Sequence, residues 1–303
     1  MQQKHLLIIC GPTAVGKTAL SVELAKHFGT EIISADSRQL YKEMSIGTAK
    51  PTEQEMQGIR HHFIDYISIR DMYTAGNYER EVIKKLDELF ALHNIVIMCG
   101  GTGLYIDAVC KGFDEGIESN PQIKQQITEQ YHHKGLEWLQ NEVKKLDIDF
   151  YNHADIHNPQ RLMRALEVCL VTGKPYSSLR KNNAVERNFN AIKIFINEDR
   201  EVLYQKINRR VDVMMQEGLL KEAEGLYAFK DLNALNTVGY KELFQFFDGT
   251  VSLDRAVDLI KQHTRNYAKR QVTWFKNDED CTVFHPADIE KIIAFTDIVT
   301  QHA

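Results

Sequence analysis

Leu6-Leu7-Ile8-Ile9-Cys10-Gly11-Pro12-Thr13-Ala14-Val15-Gly16-Lys17-Thr18 is the stretch on which the fold turns. Its first five residues are an unbroken apolar run, which reads as a buried strand. The next eight fit G-x-x-x-x-G-K-[ST] at every defined position, and Leu20, Leu24 and Phe28 then recur at helical spacing. Strand, glycine loop and helix in that order make a phosphate-binding loop. Gly11, Pro12, Thr13, Ala14, Val15, Gly16, Lys17 and Thr18 are therefore the candidate diphosphate-binding residues. Backbone N–H groups can turn inward around a phosphate there, and the helix N-terminus adds a partial positive charge. Lys17 adds a full charge, and the Thr18 hydroxyl is the candidate protein ligand for Mg²⁺. The pattern predicts a ligand with two or three phosphates and leaves open the chemistry done on it.

Outward from this loop, the first third of the chain alternates short apolar runs with helical patterns, the signature of a parallel sheet flanked by helices. Further strands are predicted over residues 31–35, 94–99 and 190–196, with a helix over 78–93. From 116 to 189 the texture is helical only, and helices dominate again from 200 to 276. The expected architecture is α/β: a P-loop NTPase-like core from residues 1–115 and 190–303, with an inserted all-helical domain at 116–189. A nucleotide hydrolase has a metal-holding acid at the end of a core strand. Here the strand at 94–99 ends in Gly100-Gly101-Thr102-Gly103, which offers close backbone approach and one hydroxyl. The nearest acid at a strand end is Asp36, which can bridge to Mg²⁺ through water, accept a proton or cap a helix.

Composition narrows the setting. A chain of 303 residues with 43% hydrophobic and 26% charged side chains is ordinary for a globular protein. No stretch approaches the roughly 20 apolar residues of a membrane span, and the apolar start is too short for a signal peptide. The five cysteines are scattered with no C-x-x-C pair, so a reducing, cytoplasmic compartment is expected. Net charge is −5, yet residues 255–276 carry Arg255, Lys261, Arg265, Lys269, Arg270 and Lys276 against one acid, Asp258. Such a local stripe attracts phosphates, because screening confines the field to about 10 Å.

Taken in order along nearly the whole chain, further blocks join the loop: Ser34-Ala35-Asp36-Ser37-Arg38-Gln39-Leu40-Tyr41, Ile46-Gly47-Thr48-Ala49-Lys50-Pro51, and Gly100-Gly101-Thr102-Gly103-Leu104-Tyr105. Asn158-Pro159-Gln160-Arg161-Leu162-Met163-Arg164, Val238-Gly239-Tyr240-Lys241-Glu242 and Lys269-Arg270-Gln271-Val272-Thr273-Trp274 follow. The sequence resembles the bacterial tRNA dimethylallyltransferases. That resemblance implies transfer of a dimethylallyl group from dimethylallyl diphosphate to N6 of adenosine at tRNA position 37, with Mg²⁺, by a monomer that uses no membrane. It implies Asp36 as the acid–base residue, Thr102 beside the diphosphate and the amine, and Arg210, rather than its neighbour Arg209, on the diphosphate. For the tRNA anticodon stem-loop it implies Asp36, Ser37, Arg38, Gln39, Thr102, Lys124, Gln160, Arg161, Leu162, Met163 and Arg164. A small-molecule kinase with a helical lid shares the loop and the insertion and is the alternative; a nucleotide-gated RNA-binding protein and a free-adenylate prenyltransferase are more distant ones.

Overall fold

The computed structural model describes residues 3–112, 120–179 and 185–301. Six parallel strands form one sheet in the order β3-β2-β4-β1-β5-β6. They are β1 (His5–Cys10), β2 (Ile32–Ser34), β3 (His61–His62), β4 (Ile95–Gly100), β5 (Asn190–Ile196) and β6 (Cys281–Phe284). The helices of the first half are α1 (Lys17–Phe28), α2 (Glu53–Met56), α3 (Ala75–Phe90), α4 (Gly103–Lys111), α5 (Pro121–Leu146), α6 (Ile148–His153), α7 (Pro159–Thr172) and α8 (Tyr176–Leu179). After β5 come α9 (Arg200–Glu217), α10 (Leu219–Leu226), α11 (Tyr240–Phe247), α12 (Leu253–Lys276) and α13 (Ile289–Gln301).

The alternation of side chains along β1 explains why this strand is apolar at every position. Leu6, Ile8 and Cys10 enter one core with Tyr78, Val82 and Leu86 of α3. Leu7 and Ile9 enter another with Leu20 and Leu24 of α1 and Leu203 and Ile207 of α9. A strand buried on both faces has no polar side, as a central parallel strand requires. A third core joins Val211, Leu219, Leu226, Tyr240, Leu243 and Ile260.

The chain divides into two compact units, residues 1–110 with 186–303, and residues 111–185. The second unit is helical and has its own core of Ile127, Leu139, Val143, Phe150, Leu162, Ala165 and Leu166. Within it, α5 bends at Gly135, whose φ of 75° interrupts the helical run. The pairing adds β3 and β6 to the strands read from the sequence.

Candidate active site

Three strands of the first unit end at the same edge. β1 runs into the phosphate loop, β2 into Asp36-Ser37-Arg38-Gln39, and β4 into Gly101-Thr102. Helix α1 opens at Gly16, whose φ of 105° suits glycine, with no side-chain cap and no acid in its first turn. Its first N–H groups and positive end are thus left for an anion. Lys17 Nζ reaches back to the Pro12 carbonyl at 2.7 Å. Burial lowers the Lys17 pKa from its ordinary value, and the Arg210 guanidinium acts in the same direction. Arg210 sits half-buried on α9, where burial lowers its pKa too, while Arg209 is exposed. Two half-buried cations repel each other, and an anion bound between them relieves that cost.

A cavity of about 500 Å³ opens among Thr13, Asp36, Ser37, Arg38, Arg210 and Arg270. Apolar side chains of Ile207, Val211, Met214, Leu219, Val238 and Ile260 line part of it, beside polar ones that include Asn236, Lys241, His263 and Asn266. Asp36 is held by its own backbone: Oδ1 accepts the N–H of Arg38 at 2.8 Å and of Gln39 at 3.3 Å. Both contacts use one oxygen, which leaves Oδ2 without a partner among the described residues. The capping and acid–base readings of Asp36 are therefore compatible, since one oxygen serves each. Thr102 is not among the lining residues but touches one of them, Ser37. Its Oγ1 accepts the Ser37 N–H at 3.0 Å and lies 3.3 Å from Ser37 Oγ. Tyr267 of α12 faces the same cavity, and its pKa is pushed up to about 12 by burial and then by the negative charge of Asp36.

Gln271 joins the two glycine segments. Its Oε1 accepts the Thr13 N–H at 2.9 Å, and its Nε2 donates to the Gly101 carbonyl at 2.8 Å. A Cβ on Gly101 would lie 2.1 Å from that Nε2, and one on Gly103 would lie 2.3 Å from Nε1 of Trp274. The close backbone approach that the glycines after β4 offer is thus taken up by α12. Neither Tyr267 nor Gln271 was singled out from the sequence; the only signal was their position in and near the Lys269–Trp274 block. The basic stripe is divided in the same way. Lys261 pairs with Asp212 at 2.5 Å and Arg265 donates to Asn208 at 2.6 Å, both on α9, whereas Lys269, Arg270 and Lys276 remain exposed.

Arg38 is turned onto the chain itself, donating to the carbonyls of Asn233 and Ala234 at 3.2 and 3.0 Å. Within the second unit, Lys124, Gln160 and Arg161 are exposed. Arg164 is ion-paired to Glu167 at 2.9 Å. Leu162 is fully buried in that unit's core and Met163 packs against it, so their side chains serve packing.

A sequence profile described as IPP transferase matches residues 39–278. The tRNA dimethylallyltransferase of Flavobacterium psychrophilum is 51% identical over 305 aligned residues, covering 98% of this chain and 99% of that protein. The tRNA dimethylallyltransferase of Flavobacterium johnsoniae is 50% identical, with 96% and 97% covered. Among solved structures, the full-length tRNA isopentenylpyrophosphate transferase of Bacillus halodurans superimposes with a TM-score of 0.74 at 35% identity, over 99% of this chain and 98% of that one. A eukaryotic dimethylallyltransferase acting on tRNA gives a TM-score of 0.79 at 27% identity, covering 95% of this chain and 75% of the other. With relatives at half identity along nearly its full length and a profile match over residues 39–278, the chain belongs to the IPP transferase family.

Proposed function

We infer that this protein transfers the dimethylallyl group of dimethylallyl diphosphate to N6 of adenosine 37 in the anticodon stem-loop of tRNA, releasing diphosphate. The observation that carries this reading is one cavity with an anion-seeking end at Arg210, a carboxylate at Asp36 and an apolar wall. An allylic diphosphate needs the first and the last, and an amine nucleophile needs the carboxylate. A kinase for a small polar substrate has no use for the wall of Ile207, Val211 and Met214.

The roles follow from where charge develops. As the C–O bond to diphosphate breaks, negative charge grows on oxygen, where Lys17, Arg210 and the N–H groups opening α1 stabilise it. The allylic carbon meanwhile gains positive charge while its methyl groups rest on the apolar wall. The N6 lone pair, delocalised into the purine ring, forms the new C–N bond as Asp36 takes the proton. Thr102 supports this edge through Ser37. An adenine in an anticodon loop reaches such a cavity by turning out of its stack, at a cost of roughly a few kcal/mol. Gln160, Arg161, Arg164 and Lys124 are proposed to hold the RNA, together with Asp36–Gln39.

Among the described residues no group of three or more His, Cys, Asp or Glu could hold a metal ion. That fits Mg²⁺, which keeps most of its water and takes one or two protein oxygens beside substrate phosphates. Thr18 would hold it, and when bound it would supply positive charge to the leaving diphosphate. No helix among the described residues is long and apolar enough to cross a membrane. A tRNA substrate supports a cytoplasmic location.

The test is direct. The protein is incubated with unmodified tRNA bearing adenosine 37, dimethylallyl diphosphate and Mg²⁺, and the digested nucleosides are weighed. A dimethylallyl group gained on adenosine is the expected result. ATP turnover with unaltered tRNA would replace this reading with the kinase.

A further inference from the structure

A carboxylate that does not line the cavity organises its wall. Glu222 of α10 accepts the N–H groups of Ser45 at 3.0 Å and Ile46 at 2.8 Å through Oε2, and that of Gly47 at 2.9 Å through Oε1. Successive backbone N–H groups converging on one point form an anion nest. Here the chain fills the nest with its own side chain. The Tyr240 hydroxyl donates to the same Oε1 at 2.6 Å. Tyr240 is fully buried, and its ring lies so close to Gly47 that a Cβ there would come within 2.6 Å of it. Burial, and then the charge of Glu222, raise the Tyr240 pKa above its ordinary value, so the phenol keeps its proton and goes on donating.

The turn held in this way runs straight into the cavity, where Gly47, Thr48 and Ala49 line the wall. Ala49 is in the left-handed region, with φ of 49°, a conformation that a non-glycine residue keeps only when its surroundings impose it. The carbonyls of Thr48 and Ala49 accept from Gln39 Nε2 at 3.2 and 3.1 Å. The backbone N–H of Gln39 is one of the two that hold Asp36 Oδ1. Hydrogen bonds thus run from Glu222 through residues 45–49 and Gln39 to Asp36.

We propose that Glu222, with Tyr240, is a positioning residue for the transfer reaction: acting through the 45–49 turn and Gln39, it sets the orientation of Asp36 and the shape of the adjoining wall without touching substrate. The proposal rests on the transferase reading above. Tyr240→Phe removes one donor from the clamp, and Glu222→Gln keeps its shape while turning an amide toward backbone N–H groups that need an acceptor. The measurement is kcat at saturating tRNA, with KM for dimethylallyl diphosphate and the melting temperature taken in parallel.

Misplacing a reacting group by about 1 Å costs up to roughly a hundredfold in rate, so kcat is expected to fall about tenfold in Tyr240→Phe and further in Glu222→Gln. KM for dimethylallyl diphosphate is expected to stay near the wild-type value. Because the residues act in series, adding Gln39→Leu to either variant should cost less than Gln39→Leu alone costs the wild type. A purely structural Glu222 would instead lower kcat only in step with the folded fraction, and its loss would add to that of Gln39→Leu. Unchanged kcat in well-folded variants, an effect confined to KM, or strict additivity overturns the proposal. If Glu222→Gln does not fold, the cycle of Tyr240→Phe with Gln39→Leu decides alone. A wild-type protein that leaves tRNA unprenylated sinks the transferase reading and this role together; active wild type with unaffected variants sinks this role only.

Discussion

At the scale of single residues, the site separates holding from reacting within one carboxylate. Asp36 spends Oδ1 on two backbone N–H groups and keeps Oδ2 without a partner among the described residues. Asp36→Asn preserves an oxygen for those N–H groups, so the turn should persist while the proton acceptor is lost. Turnover is expected to fall by roughly 10²–10⁴, the usual contribution of general acid–base catalysis, with tRNA affinity nearly unchanged in a filter-binding assay. Lys17 gives a prediction in pH. Its pKa is lowered in the fold, so between the folded and unfolded values the unfolded chain binds more protons, and the ligand-free protein gains stability as pH rises through that window. Pyrophosphate has the opposite effect, because its charge favours the protonated amine. At a pH near the lowered Lys17 pKa, its binding should take up protons at the amine, and its affinity should begin to weaken at a pH below the ~10.4 of a free lysine. Calorimetric titrations in buffers of different ionisation heat measure that uptake; proton release on binding would contradict it.

Secondary-structure elements show where the sequence was readable. β1, the loop and α1 were legible because strand burial, glycine spacing and helical periodicity are all local. β3 and β6 were not: they hold two and four residues, none of them buried, and exist as strands only because β2 and β5 offer an edge. Gln271 was likewise silent, since a glutamine in a basic helix reads as solvated until the fold places Thr13 and Gly101 beside it. The Gly-Gly-Thr-Gly run was legible as a place of close approach, but the approaching partner was knowable only from the packing of α12. The apolar wall was hidden for a similar reason, because Ile207, Val211 and Ile260 look like ordinary core positions of α9 and α12. Gln271→Leu tests the link between α12 and the loop. It takes the partner from the part-buried Thr13 N–H and from the buried Gly101 carbonyl, and the buried group left unpaired costs about 1–3 kcal/mol. The expected outcome is a lower urea midpoint together with weaker pyrophosphate binding; lost stability with intact affinity would make Gln271 a strut for the fold alone.

On the scale of the whole molecule, two units divide the labour. Every residue of the phosphate loop and of the cavity belongs to the unit made of 1–110 and 186–303, whereas 111–185 buries an apolar cluster of its own. The proposed RNA-holding side chains Lys124, Gln160, Arg161 and Arg164 are carried by α5 and α7, and the spacing of those helices depends on that cluster. Leu139 is fully buried at its centre. Leu139→Ala removes methyl groups from a packed interior and costs about 2–5 kcal/mol, depending on how far the neighbours close the cavity. Hydrogen exchange should therefore quicken across α5 and α7 before it does in the sheet. Pyrophosphate affinity, an attribute of the other unit, should be preserved in the same sample. Prenylation of full-length tRNA at subsaturating concentration should fall, and raising the tRNA concentration should restore it, because the defect lies in holding the RNA and not in the chemistry at Asp36. A drop in kcat that excess tRNA does not correct would mean that the helical unit also shapes the reacting site.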